Sequence, residues 1–395
     1  MQVYADHAAT TALCPAACEA MLQCMREVYG NPSSLHTPGQ QAARELTAAR
    51  ETIAACLGAQ AREITFTSGG SEADNQALLS AAALGARAGK RHIVSTRFEH
   101  HAVLHMLDKL ARQGFSVTLL DVPPSGVIEA EQVRQALRPD SCLVSVMFAN
   151  NEIGTIEPIA QIGALCREAG VLFHTDAVQA AGQLPIDVEA MHIDLLSLSA
   201  HKFYGPKGVG ALYARSGVVL SSLIEGGAQE RGRRAGTENL PGIVGAAAAL
   251  REACARMEET AARLVPLRDQ LMEDLARIPH SCVNGDRKQR LPGNVNICFE
   301  GVDAVSLLML LDSRGIAASA GSACTAGALE PSHVLASIGV PEEVARGSLR
   351  LSLGADNTPE QVDYIRSVLP EVVAYLREHS PAWQAMERGE RPHRI

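Results

Sequence analysis

The sequence predicts an α/β fold with a large domain built on a mostly parallel β-sheet and a smaller α+β domain. Apolar runs of strand length alternate with alanine- and leucine-rich helical segments through the first two-thirds of the chain. This alternation is typical of a doubly wound sheet covered by helices. After about Gly242 the pattern changes to a long helical stretch, residues 245–276, followed by further strands and helices. This change indicates the second domain.

Six apolar runs define the predicted strands of the large domain. They span residues 63–67, 92–96, 117–120, 143–147, 171–174 and 194–198. Helical patterns occupy the intervening segments 75–87 and 159–169. Ligands of such folds bind at the carboxyl ends of the strands. The polar residues that directly follow these runs therefore form the candidate site.

The smaller domain mixes helical and strand patterns. Its predicted elements are the helical stretch 245–276, strands at 294–299 and 348–352, and helices at 304–313 and 361–377. Residues 388–395 are expected to form a solvated tail.

Composition is ordinary for a soluble globular enzyme. The 395 residues are 47% hydrophobic and 20% charged, enough to bury a sizeable core. A net charge of -9 without a basic block argues against a nucleic-acid surface. The sequence shows neither a secretory signal nor an apolar stretch that could span a bilayer. With ten cysteines, these features predict a reducing, cytoplasmic location without a membrane partner.

Lys202 is the first candidate for chemistry. It follows the strand run 194–198, lies beside Ser199 and His201, and precedes a glycine-rich turn. An amine in this setting suits an aldehyde cofactor that carries a phosphate, and pyridoxal 5'-phosphate (PLP) is the cofactor we infer. Burial lowers a lysine's pKa and so favours the reactive free amine. The alternative is a lysine that merely ends a strand beside a turn.

Asp176 favours the cofactor interpretation of Lys202. It follows the buried run 171–174, and a carboxylate there could keep a pyridine nitrogen protonated, which makes the ring an electron sink. Taken alone, an aspartate after an apolar strand is more often a helix cap. With Lys202 one short segment later, the cofactor interpretation becomes the stronger of the two.

Further polar residues follow other predicted strands. The segment 67–75 could hold a phosphate with its amides and the Ser71 hydroxyl, although an ordinary helix cap has the same pattern. His100 could stack on a ring or move protons, whereas a solitary loop histidine usually does neither. Residues 150–152 could point amide side chains at a ligand or form a turn.

Arg350 and Cys324 are the candidates in the second domain. Arg350 alternates with apolar neighbours on a predicted strand, so it needs an anion, either a substrate carboxylate or a structural salt-bridge partner. Small side chains surround Cys324 and offer little to pack, which predicts a mobile, exposed and reactive thiol. The alternative is a small buried residue.

The chain resembles the cysteine desulfurases of the class V aminotransferase superfamily, specifically the group I, NifS/IscS type. The resemblance covers nearly the full length. Its most specific motifs are Ser199-Ala200-His201-Lys202, Glu230-Arg231-Gly232-Arg233-Arg234-Ala235-Gly236-Thr237 and Gly321-Ser322-Ala323-Cys324-Thr325. Alanine at 320 and serine at 71 depart from common family residues, but no catalytic group is lost.

The resemblance implies a role for each candidate residue. Lys202 is the Schiff-base lysine, Asp176 the partner of the pyridine nitrogen, and His100 the histidine that stacks on the ring and handles protons. Cys324 is the sulfur acceptor and a candidate transient iron–sulfur ligand, and no intrinsic metal site is implied. The remaining cofactor contacts are Gly70, Ser71, Asn151, Gln179, Ser199 and His201, with Thr237 from the other subunit of a homodimer, and the substrate carboxylate contacts are Asn151 and Arg350.

The implied fold is PLP-dependent transferase fold type I with a seven-stranded sheet. The large domain would span residues 15–256, and the small domain residues 1–14 and 257–395, with the cysteine loop at about 319–332. The implied reaction converts L-cysteine to L-alanine and leaves the sulfur on Cys324 as a persulfide. An iron–sulfur scaffold or other acceptor protein would receive it, docked through Ser380-Pro381-Ala382-Trp383.

Two other functions remain open from the sequence. Selenocysteine lyase or a related class V PLP enzyme would use the same cofactor residues, and Cys324 distinguishes it from a desulfurase. A non-enzymatic iron or sulfur carrier would leave Asp176, Gln179 and Lys202 unexplained.

Overall fold

The structure, a computed structural model, describes residues 1–320 and 332–395 and confirms the predicted α/β fold. The described strands form a seven-stranded, a three-stranded and a two-stranded sheet. They are β1 (Val3–Tyr4), β2 (Ile64–Thr67), β3 (His92–Thr96), β4 (Ser116–Leu120), β5 (Ser141–Ser145), β6 (Leu172–Asp176), β7 (Leu195–Ser199), β8 (Gly210–Ala214), β9 (Ser281–Val283), β10 (Asn294–Phe299), β11 (Ile316–Ala317) and β12 (Ser348–Ser352). Cys324 and most of the predicted cysteine loop lie outside the described residues.

Helices cover the sheets and connect their strands. Among the described residues they are α1 (Pro15–Glu27), α2 (Thr37–Leu57), α3 (Gly70–Arg87), α4 (His101–Arg112), α5 (Ala130–Ala136), α6 (Ile159–Ala169), α7 (Leu240–Ala255), α8 (Met257–Leu275), α9 (Ala304–Ser313), α10 (His333–Ser337), α11 (Glu342–Ala345), α12 (Pro359–Glu378) and α13 (Pro381–Glu387). None of them is long and apolar enough to cross a membrane.

The seven-stranded sheet has the order β2-β8-β7-β6-β5-β3-β4. The neighbours from β4 to β7 run parallel, and β8 runs antiparallel to both β7 and β2. Every residue of β5 and β7 is buried, as expected for strands covered on both faces. The carboxyl ends of the central parallel strands therefore lie along one edge, where the polar candidates follow them.

Two differences from the predicted elements have a local cause. The helical stretch 245–276 is two helices, because Arg256 leaves the helical conformation (φ -104°, ψ 6°) between α7 and α8. Neither glycine nor proline marks this break, so it could not be predicted from the sequence. Strand β8 was missed because its first residue, Gly210, ends the glycine-rich turn after Lys202.

The second part of the chain forms the smaller sheet, with β10 between β9 and β12 in antiparallel pairing. Its apolar faces pack with α8, α9 and α12 in one hydrophobic cluster. The first strand of the chain, β1, also pairs with this part of the chain, since Val3 pairs in parallel with Ile316 of β11 in the two-stranded sheet. The N-terminal segment is thereby held against residues that come more than three hundred positions later.

The prediction that residues 388–395 form a solvated tail is only partly correct. His393 Nδ1 lies 3.0 Å from Glu300 Oε2, and the Arg394 N–H donates to Glu300 Oε1 at 2.7 Å. Ile395 packs against the core of the large sheet. The buried Glu300 carboxylate requires polar partners, and these tail residues supply them.

A buried ion pair fixes the loop that carries the motif 230–237. Arg50 on α2 makes two hydrogen bonds to the Glu230 carboxylate, each 2.7 Å long. The Phe66 N–H donates to the same carboxylate at 2.9 Å, and both charged side chains are buried. The backbone of Glu230 has a positive φ of 48° that this pairing must hold in place.

Glu230→Gln is expected to lower the free energy of unfolding by about 3 kcal/mol, because it leaves the buried Arg50 charge unpaired. Urea denaturation of the purified protein measures this change. The matched control is Asp121→Asn, which breaks the exposed Arg97–Asp121 pair and should change stability by less than about 1 kcal/mol. Equal effects of the two substitutions would contradict the prediction.

Candidate active site

The candidate site lies where β6 and β7 end. Asp176 is the last residue of β6, and Lys202 ends a single 3-10 turn that directly follows β7. The two strands are parallel neighbours, with Asp176 opposite Ser197. Both groups therefore lie at the same edge of the sheet, where the strand pattern had placed them.

The N-terminal segment holds the Lys202 amine. Lys202 Nζ donates hydrogen bonds to the carbonyl oxygens of Ala8 and Ala9, the latter at 2.7 Å. Gln179 Nε2 donates to the same Ala8 oxygen at 2.9 Å. The Ala8 carbonyl thus positions two of the candidate cofactor residues at once, a role that the sequence did not indicate.

Asp176 is a buried carboxylate, with 6% of its surface exposed. Its Oδ1 accepts a hydrogen bond from the Val178 N–H at 2.9 Å. Burial raises the pKa of Asp176, and the nearby His100 and Lys202 limit that rise. Such a carboxylate is stabilised when a cationic N–H donor binds next to it.

His100 lies close to this carboxylate at the start of α4. Its Nδ1 caps the helix by accepting a hydrogen bond from the Ala102 N–H at 3.1 Å. With Nδ1 as acceptor, the neutral ring carries its proton on Nε2. The second nitrogen can therefore donate a hydrogen bond or hand on a proton.

Two buried side chains near Asp176, those of His174 and Asp74, were not identified from the sequence. His174 in β6 has its Nδ1 2.9 Å from Ser145 Oγ and its Nε2 3.6 Å from Asp74 Oδ1. Burial lowers the pKa of His174 to about 3, so it is neutral. Burial and the neighbouring Asp176 charge raise the pKa of Asp74 well above its usual range.

Glu99 is a third buried carboxyl group near Asp176. It accepts hydrogen bonds from Thr96 Oγ1 at 2.8 Å and from the Met147 N–H at 2.9 Å. Burial raises the pKa of Glu99 to about 8. Its position directly before His100 was visible in the sequence, but its burial was not, because polar residues at a strand end are usually exposed.

The N-terminus of α3 packs closely against neighbouring residues, beside the carboxyl end of β6, where Asp176 lies. A Cβ atom on Gly70 would lie 2.6 Å from Val178 Cγ2, and one on Gly210 would lie 2.6 Å from the Gly69 Cα. Only glycine fits at these two positions. The free amides of a helix N-terminus favour an anion such as a phosphate. Ser199 is buried nearby and Ser71 is exposed on the first turn.

His201 and Thr237 are the remaining predicted phosphate contacts. His201 Nδ1 lies 3.2 Å from Thr10 Oγ1. Burial, together with the charges of Lys202 and Lys207, lowers the pKa of His201 to about 4, so the ring is neutral. Thr237 is exposed and lines a small pocket that Ser68 of the same chain also lines.

The loop that carries Thr237 is joined to α3 by an ion pair. Arg234 Nε donates to Glu72 Oε1 at 2.9 Å, and Gln76 Nε2 donates to the Arg233 carbonyl oxygen at 2.7 Å. Glu72 also accepts a hydrogen bond from the Ser68 N–H at 2.8 Å. The motif 230–237 therefore helps to hold the first turn of α3.

Arg350 on β12 reaches the site from the smaller sheet. Its Nη2 donates to Asp6 Oδ1 at 2.9 Å and its Nη1 to the Asn151 carbonyl oxygen at 3.1 Å. The structural salt bridge considered from the sequence is therefore present. The Nε of Arg350 is buried without a hydrogen-bond partner among the described residues, so the guanidinium keeps donors for another anion.

The residues on either side of segment 321–331 adjoin Arg350 and Asn151. Ser319 exchanges backbone hydrogen bonds with Arg350, at 2.6 and 3.2 Å. Ser332 Oγ donates to Glu152 Oε2, and burial raises the pKa of Glu152 to about 7. The residues that precede and follow segment 321–331 thus lie beside the predicted substrate-carboxylate residues.

Comparisons with known proteins agree with this arrangement. The family described as Aminotransferase class-V matches residues 3–365. The cysteine desulfurase IscS of Clostridium botulinum is 52% identical over 386 residues, which is 97% of each chain. A solved structure titled NifS-like protein superposes with a TM-score of 0.89 at 38% identity, covering 95% of this chain and all of the other.

A second solved structure, titled SspA in complex with cysteine, shares 37% identity. Its TM-score is 0.77, and the alignment covers 90% of this chain and 100% of that chain. The family match over residues 3–365 includes every described residue of the site.

Proposed function

Because the chain belongs to the class-V aminotransferase family, we propose that it is a PLP-dependent cysteine desulfurase that converts L-cysteine to L-alanine. The sulfur would pass to Cys324 as a persulfide. The observation that carries this proposal is the proximity of Lys202, Asp176 and Gln179 at one sheet edge, in a chain so similar to a named cysteine desulfurase.

The residues present fit PLP. Gly70 and Gly210 allow the start of α3 to pack closely against Val178 and β8, and the free amides of this helix N-terminus would hold the phosphate. The buried carboxylate of Asp176 would accept a hydrogen bond from the protonated pyridine nitrogen. Gln179 and His100 would contact the ring, and Lys202 would hold the aldehyde carbon.

When bound, PLP supplies an electron sink for the carbon atoms attached to a substrate amine. Lys202 Nζ would remove the Cα proton of L-cysteine and later return a proton. The Ala8 and Ala9 carbonyl oxygens, which already orient this amine, would keep it at the substrate between the two transfers. The Nε2 of His100 could take up the proton that Lys202 removes, or give it back.

The substrate carboxylate would bind Arg350. Arg350 Nε, which has no hydrogen-bond partner in the described part of the chain, is a donor for it, while Asp6 and the Asn151 carbonyl oxygen fix the guanidinium plane. The side chain of Asn151 is the predicted second donor. Without the charge of Arg350, the Asp6 carboxylate and the substrate carboxylate would be unfavourable so close together.

Cys324 would take the sulfur. Its thiolate attacks the sulfur of bound L-cysteine, a new S–S bond forms, and the Cβ–S bond breaks. The electrons of that bond stay with carbon, which gains a proton and leaves as L-alanine. Cys324 comes four positions after Ala320, a span of at most about 14 Å. Ser319, next to Ala320, is paired with Arg350, so the length of chain would allow the thiol to reach the substrate.

The acceptor would be an iron–sulfur scaffold or another sulfur-carrier protein. Helix α13, which contains Trp383, has no fully buried residue and so presents a surface for docking. The class of acceptor follows from the chemistry, since a persulfide sulfur can pass directly to another thiolate.

A homodimer is proposed from exposed apolar side chains. Tyr29 and Leu35 are 82% and 91% exposed, and Met25 lies nearby in the chain with half of its surface exposed. A second stretch contains the exposed Val219. Large exposed apolar side chains of this kind mark a protein interface. In the dimer, Thr237 of one subunit would complete the phosphate site of the other.

We also propose a cytoplasmic location and a division into two domains. The nine described cysteines are free thiols, as expected in a reducing compartment. Residues 15–256 would form the large domain, and residues 1–14 with 257–395 the small one. The separate hydrophobic cluster of the smaller sheet supports this division.

An absorption spectrum of the purified protein tests the proposed activity. PLP held by a lysine should give a visible band, and L-cysteine should change that band while equal amounts of L-alanine and persulfide or sulfide form. L-serine, which lacks the sulfur, is the matched control and should yield no alanine. A colourless, fully folded protein that does not bind added PLP would contradict the proposal.

A further inference from the structure

A cluster of metal-ligating side chains lies away from the candidate active site, among the described residues. It consists of His280, Glu300 and His393, and we refer to it as the tail cluster. One ligand atom from each residue lies within 4.8 Å of the other two. His280 precedes β9, Glu300 follows β10, and His393 belongs to the C-terminal tail. The fold thus brings together three residues from distant parts of the chain.

The Glu300 carboxylate is buried, with 1% of its side chain exposed. Its Oε1 accepts a hydrogen bond from the Arg394 N–H, and its Oε2 faces His393 Nδ1. The Arg377 guanidinium lies close by, but its N–H groups donate to backbone carbonyl oxygens, including that of Glu300. The direct partners of this buried carboxylate are therefore an amide and imidazole nitrogens.

The two imidazole rings lie against each other. The His280 and His393 rings are stacked, with centroids 3.8 Å apart and planes inclined by 21°. The fold therefore holds two imidazoles beside one buried carboxylate, a combination of ligand types that metal ions bind.

Two separations between the ligand atoms are close to those of a tetrahedral zinc site. His393 Nδ1 and His280 Nδ1 lie 3.0 and 3.6 Å from Glu300 Oε2. Bonds of about 2.1 Å at tetrahedral angles place neighbouring ligand atoms about 3.4 Å apart. His280 Nδ1 also lies 2.6 Å from the Ile395 carbonyl oxygen, which would lose this hydrogen bond on metal binding. That oxygen or a water molecule would complete the coordination.

We propose that the tail cluster is a structural Zn²⁺ site that fastens the C-terminal segment to the smaller sheet. Two imidazole nitrogens and one carboxylate oxygen are a donor set suited to zinc. The Trp383 ring on α13 packs edge-on against the His280 and His393 rings, with centroid distances of 5.4 and 5.2 Å. Occupancy of the site therefore also fixes α13. The proposal departs from the expectation, drawn from the resemblance, that the chain has no intrinsic metal site.

Equilibrium dialysis of the cofactor-loaded full chain against Zn²⁺, after treatment with a chelator, tests the proposal. The wild type should bind one equivalent more than His393→Ala. His379→Ala is the matched control, because His379 is an exposed histidine that ends α12 outside the cluster, and it should bind as much as the wild type. Comparing variants removes the contribution of zinc bound by thiols, which all three proteins share.

Thermal unfolding provides a second measurement that does not depend on turnover. Zinc at a hundredfold excess over its dissociation constant should raise the midpoint of the wild type and of His379→Ala by about 3 °C, and that of His393→Ala by much less. Cobalt in place of zinc should give the weak visible bands of nitrogen and oxygen ligands without intense thiolate bands. Equal zinc uptake by the wild type and His393→Ala would overturn the proposal.

Discussion

Lys202→Ala is expected to lower the rate of alanine formation from L-cysteine by at least about 10³-fold. The variant removes both the amine that holds the cofactor and the base that moves the Cα proton, and a positioned base alone contributes about 10² to 10⁴ in rate. The Ala8 and Ala9 carbonyl oxygens would lose their charged partner, but the site should stay folded, because Gln179 still donates to Ala8.

Two measurements separate this catalytic role from a structural one. Borohydride reduction followed by peptide mass mapping should label Lys202 in the wild type. Exchange of the Cα hydrogen of L-alanine in heavy water should be lost in Lys202→Ala. The control is Lys207→Ala, since Lys207 is an exposed lysine of the same turn and should keep its activity within about twofold. A wild-type protein that is fully loaded with PLP but unlabelled at Lys202 would refute the assignment.

Cys324→Ala is expected to lower sulfide release from L-cysteine by more than about 10²-fold while the cofactor spectrum is unchanged. Without a thiolate to attack the substrate sulfur, the Cβ–S bond has no acceptor for its sulfur atom. Proton removal at Cα depends on Lys202, so exchange of the Cα hydrogen of L-alanine should continue. This pattern differs from that of Lys202→Ala, in which exchange and turnover are lost together.

The matched control for Cys324→Ala is Cys18→Ala. Cys18 is an exposed free thiol on α1, so its removal tests whether any accessible cysteine serves as acceptor. We expect its sulfide release to equal that of the wild type. Undiminished release from Cys324→Ala would exclude the acceptor role, and selenocysteine lyase activity would then become the stronger hypothesis.

Much of the sheet and its candidate site could be predicted from the sequence. Apolar runs located β3, β6 and β7 to within two residues, because buried parallel strands are continuous apolar segments. The rule that ligands bind at strand carboxyl ends then favours Asp176 and Lys202 as site residues. Both come within four positions of the end of an apolar run.

Residues whose importance depends on distant contacts were not predictable. Asp74 and His174 are polar residues inside regular elements, and nothing in the local pattern shows that both are fully buried. The Ala8 carbonyl has no side-chain signature, although it receives both Lys202 and Gln179. His280 lies 115 positions from Ile395, so a local search of the chain cannot detect their contact.

The pairing of the N-terminal segment also has a consequence for biosynthesis. Val3 requires Ile316 as its strand partner, and Asp6 requires Arg350, which is 344 positions later. On the ribosome, the large sheet could fold well before these partners emerge, since domains generally fold as units during synthesis. The carbonyl oxygens that orient the Lys202 amine would remain unanchored during that time. A nascent chain should therefore acquire its cofactor-binding geometry only near the end of translation.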